Sequence, residues 1–247
     1  AGGSQVLSIG CAAGQAWTLD GLPAGWNASA ASGTGPAQVT ITAPNNTSTQ
    51  AVAGTITVTG ADKTATCTLS QAAGAKVYGD VVIGTYSYGA IPAGGGTVSP
   101  SLTYAQEWTW NGVGGSGGRL ASGAAVSYSG SGIDASTGAV SAASKGTTVS
   151  GQTTVTTATV AVTMNGKSAT KSATVYQAAN IVVGIAYAAP TVSLSVADIP
   201  AAGGSVASGT VTYSQSRTQN YTSGSVAALS ALTSGGTVSY SPDVSAC

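Results

Sequence analysis

Histidine and phenylalanine are absent from the 247 residues, and methionine occurs once. Without histidine, a Ser-His-Asp nucleophile is excluded, as is any zinc site built on imidazole. Charge is also scarce. Seven basic residues balance seven acidic ones, and together they make up 6% of the chain, against about 25% in ordinary soluble domains. No basic patch is available to neutralise phosphates, which argues against nucleic acid as a partner. No polybasic cluster suits an anionic membrane surface. No apolar run reaches the length of about 18 residues that a spanning helix needs, so no membrane insertion is expected. Ala1-Gly2-Gly3-Ser4 has no charged region followed by an apolar run, so no signal peptide is expected in that stretch.

The acids Asp20, Asp62, Asp80, Glu107, Asp134, Asp198 and Asp243 are scattered, and most adjoin Gly, Pro or a turn. No two are spaced to pair on one strand face, so no acid–base couple is legible and no catalytic residue is assigned. The chain is read as non-enzymatic, with no cofactor and no metal site. The glycine-rich stretch 112–118 lacks the Lys-Ser/Thr and the following helix of a phosphate loop, and it reads as a hairpin loop. The cysteines are Cys11, Cys67 and Cys247. Cys11 is placed in the first strand of the first block and Cys67 in its last. In a sandwich those strands can lie side by side, so a disulfide and a pair of buried free thiols are both open. For Cys247 an intermolecular bond and a truncation are both open.

What is abundant is glycine, 36 residues, together with alternating Thr, Ala and Val. Gln38-Val39-Thr40-Ile41-Thr42 and Gly54-Thr55-Ile56-Thr57-Val58-Thr59 alternate with period two, as half-solvated strands do. This places Ile56 and Val58 inward. Asn165-Gly166 between two alternating runs predicts a tight hairpin. Leu69-Ser70-Gln71-Ala72-Ala73 and Val175-Tyr176-Gln177-Ala178-Ala179 both close such runs, which points to tandem modules. Ile91-Pro92-Ala93-Gly94-Gly95-Gly96 returns as Ile199-Pro200-Ala201-Ala202-Gly203-Gly204. Thr103-Tyr104-Ala105-Gln106 returns as Thr212-Tyr213-Ser214-Gln215, and Val126-Ser127-Tyr128-Ser129 as Val238-Ser239-Tyr240-Ser241. Counterparts of residues 133–177 do not follow. The expected architecture is therefore all-β, a tandem of immunoglobulin-like sandwiches: residues 1–73, residues 74–180, and a partial repeat of the second module at 181–247. The last should be incomplete on its own, because missing strands leave an unpaired edge.

The first block resembles the BACON domain of Bacteroidetes proteins and their phages. The resemblance rests on Gly25-Trp26, Gly33-Thr34-Gly35, Val39-Thr40-Ile41 and Pro44-Asn45-Asn46-Thr47. It continues through Gly54-Thr55-Ile56-Thr57-Val58 and the closing Leu69-Ser70-Gln71. One departure is Ala51-Val52-Ala53, where the family often carries a basic residue. Ile133-Asp134-Ala135-Ser136-Thr137-Gly138-Ala139-Val140 resembles the strand-turn-strand of bacterial Ig-like modules of the Big2 kind. These resemblances imply an Ig-like fold. They carry a link to carbohydrate that is itself inferred from the family's companion domains.

Recognition falls to the aromatics. Trp108 and Trp110 are two apart, so on a strand they share one face. Facing solvent they would form a platform for sugar rings; facing inward they would be core. The third block carries Arg217 and Asn220 in this region instead. Trp26 reads as structural. The expected function is a surface-exposed module array for adhesion, binding a glycan or a host-surface protein, outside the cell or at its surface. The alternative is a structural virion protein of a Bacteroidetes-infecting phage. A surface this poor in charge resists association weakly, so self-association or neighbouring subunits are expected.

Overall fold

The computed structural model describes residues 2–61, 63–196 and 209–235. The chain is all-β, built of several separate sheets as tandem β-sandwich modules require. Among the described residues no helix is long and apolar enough to cross a membrane. Contacts group the chain into two units. One comprises Ala1–Thr85, Leu102–Val126 and Ala161–Lys171; the other comprises Tyr86–Ser101, Ser127–Val160 and Ser172–Cys247. Residues 74–180 are thus divided between them.

The first unit begins with seven strands: β1 (Gly3–Ile9), β2 (Ala16–Asp20), β3 (Asn27–Ala28), β4 (Ser32–Thr34), β5 (Ala37–Ala43), β6 (Val52–Gly60) and β7 (Lys63–Gln71). They form two sheets, ordered β1-β5-β3 and β4-β2-β6-β7. The period-two pattern turns Val39 and Ile41 of β5, Trp17 and Leu19 of β2, and Ile56 of β6 into one core with Ile9. Val58 and Trp26 pack against it half-buried. Trp17 pairs with Gly33 on one side and Gly60 on the other. Glycine is required at Gly33, where an added Cβ would lie 2.5 Å from the indole Cζ2. The indole N–H donates to the Gly35 carbonyl at 3.2 Å. Cys11 lies beyond the end of β1, half-buried, and Cys67 is exposed on β7; both are free thiols. Cys247 lies outside the described residues, as do the segments beginning at Ile199 and Val238.

Next come β8 (Lys76–Tyr88), β9 (Gly96–Val98), β10 (Pro100–Trp110), β11 (Gly118–Leu120), β12 (Ala125–Ser129), β13 (Val140–Ala142), β14 (Thr153–Met164) and β15 (Lys167–Gln177). Their sheets run β11-β10-β8, β12-β14-β15 and β13-β9. Asn165 and Gly166 join β14 to β15 with φ of 45° and 76°, the left-handed pair a tight hairpin needs. In the first unit Gln106 is fully buried. Its amide donates to the carbonyls of Gly79 at 2.8 Å and Met164 at 3.4 Å, and its oxygen accepts from Asn165 at 2.9 Å.

In the second unit Ile91, Ala93, Val140, Ala158, Val160 and Val175 are buried, as is Tyr86. The Tyr86 ring stacks on Tyr128 and meets Tyr88 edge-on. Its hydroxyl shares a 3.1 Å hydrogen bond with that of Tyr88, which in turn donates to the Gly138 carbonyl at 2.8 Å. Burial first, then the bond to Tyr88, pushes the Tyr86 phenol well above its ordinary range. The folded state therefore resists its ionisation. That stability is fully present below about pH 10, where an unfolded tyrosine titrates, and is lost as pH rises toward the raised value. Thermal unfolding of Tyr86→Phe across alkaline pH should fall less steeply than that of the parent; parallel curves would refute this. Asp134 caps the turn after β12. Its carboxylate accepts the Ser136 hydroxyl and the backbone N–H groups of Ser136 and Thr137, which lowers its pKa to about 2. That set of partners makes it a turn residue.

The last strands are β16 (Val182–Tyr187), β17 (Thr191–Val196), β18 (Gly209–Tyr221) and β19 (Val226–Leu232). They form one sheet: β16 and β17 follow each other along one edge of β18, and β19 lies on the other. Among the described residues Tyr221 is the one buried apolar residue there, while Val183, Tyr187, Val192 and Val226 stand exposed. Among the described residues this region is a single sheet without a second layer.

Candidate binding surface

Trp108 and Trp110 do share a face of β10, and both are half-buried. Neither is wholly core nor wholly in solvent. Trp108 pairs with Gly118 across β10 and β11. The indole passes over that glycine, where an added Cβ would sit 3.4 Å from its Nε1. The two rings meet edge to face, with centroids 5.5 Å apart and planes at 84°. They are therefore two perpendicular facets, and the single flat platform expected from their spacing does not form.

Lys76, at the start of neighbouring β8, places its ammonium 4.4 Å from the Trp108 centroid and 5.8 Å from that of Trp110. At an exposed position such a contact contributes about 0.5–1 kcal/mol. It leaves the ammonium free to donate hydrogen bonds outward, since the ring face takes none of its N–H donors in the usual sense. Sequence reasoning missed Lys76. It lies far from the tryptophans in sequence, and only the pairing of β8 with β10 brings it to them.

Asparagines hold the end of β10 that carries Trp110. Asn111, with a φ of 54°, donates to the Asn45 side-chain oxygen at 2.7 Å and to the Asn46 carbonyl at 2.9 Å. Its own oxygen accepts the Ala75 N–H at 2.8 Å, and its backbone N–H reaches the Ala75 carbonyl at 2.7 Å. Asn45 donates to the Trp110 carbonyl at 3.4 Å. Asn46 is buried and ties Gln50 to Ala72 through its amide. The turn Pro44-Asn45-Asn46-Thr47 thus fixes the backbone beneath the aromatic pair. The glycine-rich stretch 112–118 runs through the loop between β10 and β11, its last residue opening β11. Ser116 closes it by accepting the Trp110 N–H at 3.2 Å.

In the last sheet, the Arg217 guanidinium of β18 donates to the Ser230 carbonyl of β19 at 2.9 Å, and no tryptophan stands beside it. Among the described residues no three His, Cys, Asp or Glu side chains gather where they could hold a metal ion. Compared with protein-family models, curated proteins and solved structures, the chain matches none.

Proposed function

We propose that the chain is a non-enzymatic array of Ig-like modules for adhesion, exposed at a cell surface or outside the cell, with Trp108, Trp110 and Lys76 as its contact to a glycan or host-surface protein. The observation that carries this reading is the half-buried edge-to-face tryptophan pair with a lysine ammonium 4.4 Å from one ring. Half-open indole faces offer stacking surface to the C–H side of a sugar, and the ammonium offers donors to its hydroxyls or acidic groups. Low charge suits the same role, because the surface presents hydroxyls, amides and backbone to a polar, uncharged partner. The likeness of residues 5–73 to BACON domains and of the Ile133 segment to Big2-like modules agrees with it.

Glycan-array or mucin pull-down binding should weaken at least about tenfold in Trp108→Ala, the loss of about 1.4 kcal/mol expected for one stacking face. Trp110→Ala should act in the same direction, and Lys76→Ala should weaken binding to acidic glycans most. Retained binding in the Trp108→Ala, Trp110→Ala double variant would refute the site.

A second reading is a structural component of a phage particle. The observation favouring it is the single sheet formed by β16 to β19, which exposes Val183, Tyr187, Val192 and Val226. In an assembly, neighbouring subunits would cover such a face. Copies of the chain arranged by symmetry on a particle, with no glycan binding, would favour this reading.

A further inference from the structure

Asn-Gly occurs twice in the chain, at Asn111-Gly112 and at Asn165-Gly166. Both pairs turn the backbone through the left-handed region, with φ of 54° and 74° at the first and 45° and 76° at the second. Both glycines are exposed, and a Cβ built on either would meet nothing within 4 Å. With no side chain on the glycine, its backbone nitrogen can approach the carboxamide carbon of the asparagine and displace ammonia. Backbone and access are alike at the two turns, so the asparagine side chains make the difference.

Asn111 is half-buried and held at both ends. Its Nδ2 donates to Asn45 Oδ1 at 2.7 Å and to the Asn46 carbonyl at 2.9 Å, while its Oδ1 accepts the Ala75 N–H at 2.8 Å. Asn165 is exposed and held at one point, where its Nδ2 donates to Gln106 Oε1 at 2.9 Å. Ring closure requires the carboxamide to swing toward the following nitrogen, and every hydrogen bond that anchors it opposes the swing. One such bond acts at Asn165 and three at Asn111.

The single anchor at Asn165 serves a buried partner. Gln106 is fully buried, and its Nε2 is already committed to the carbonyls of Gly79 and Met164. Its oxygen takes its donor from Asn165. A carboxylate in place of that amide has no proton to give, so the buried oxygen would lose its partner.

We propose that Asn165 is a modification site, at which the folded chain deamidates spontaneously and thereby unlocks Gln106, while Asn111 is protected. The Gly166 nitrogen bonds to Asn165 Cγ and gives up its proton; the bond from Cγ to Nδ2 breaks and ammonia leaves. Water then opens the cyclic imide at either carbonyl, giving aspartate or isoaspartate. Each product adds one negative charge to a chain of zero formal net charge, and each removes the amide donor from Gln106.

The test incubates the full chain in heavy-oxygen water at mildly alkaline pH and follows both sites by peptide mapping. Label and acid should accumulate at residue 165 at least about tenfold faster than at residue 111, given the two extra anchoring bonds there. In urea the anchors are gone and the contrast should vanish. Asn45→Ala, which removes one anchor from Asn111, should speed loss at 111 and leave 165 unchanged. Gln106→Ala should speed loss at 165. Asn165→Asp should lower the folding equilibrium constant about tenfold in urea unfolding, and should add little to Gln106→Ala. Equal rates at the two sites in the folded chain would overturn the proposal. So would a contrast that persists in urea, which would belong to the flanking sequence, or an Asn165→Asp chain as stable as the parent.

Discussion

Replacing Trp17 by alanine should destabilise the first sandwich by about 3–5 kcal/mol, the range for emptying a large aromatic from a packed core. Trp17 is only 4% exposed and belongs to the core cluster with Leu19, Val39, Ile41 and Ile56. Its neighbours on both flanking strands are glycines, Gly33 and Gly60, so no side chain beside it can swing into the space. Loss of the indole also leaves the Gly35 carbonyl without its donor. The same packing predicts the reverse perturbation. Gly33→Ala puts a methyl group 2.5 Å from the ring and should cost about 1–3 kcal/mol through overpacking. Urea unfolding, with hydrogen exchange of the β2 and β6 amides to locate the effect, checks both. A Trp17→Ala loss below about 1 kcal/mol would show that the site collapses around the void.

Gln106→Ala should cost about 1–3 kcal/mol, because it empties a fully buried site and strips the donor from the carbonyl of buried Met164, whereas exposed Gly79 and Asn165 can turn to water. The parent side chain is fully buried and uses both ends, serving the carbonyls of Gly79 and Met164 and the amide of Asn165. Asn165 sits in the left-handed hairpin turn, so the loss should also loosen the β14–β15 connection. Gln215 is the internal control. It holds the repeated position on β18, is half-buried, and bonds to the Ala188 carbonyl at 2.9 Å and the Tyr213 hydroxyl at 3.0 Å. Water can replace those partners, so Gln215→Ala should cost about 1 kcal/mol or less. Equal effects at the two positions would defeat the argument.

Strand periodicity was the most legible feature. Val39, Ile41 and Ile56 face the core because a pleated strand alternates its side chains, and sequence records that alternation directly. The Asn165-Gly166 turn was legible because few residues accept positive φ. Gln106 was opaque. A glutamine in an alternating strand reads as a surface residue, and only the approach of Gly79, Met164 and Asn165 makes its burial tolerable. Of the candidate surface, the shared face of Trp108 and Trp110 followed from their spacing. Their 84° crossing and the lysine over them did not, because ring orientation is set by what packs on either side.

By itself, then, the sequence determined an all-β chain of repeated modules, poor in charge and without histidine. These are properties of composition and local period, carried by residues near one another in the chain. Tertiary structure alone decided how two like turns are anchored. Asn111-Gly112 and Asn165-Gly166 share a dipeptide and a left-handed backbone, yet Asn45, Asn46 and Ala75 hold the side chain of one, and Gln106 alone holds that of the other. That difference depends on segments distant in sequence from each turn, and no local pattern encodes whether such a segment arrives.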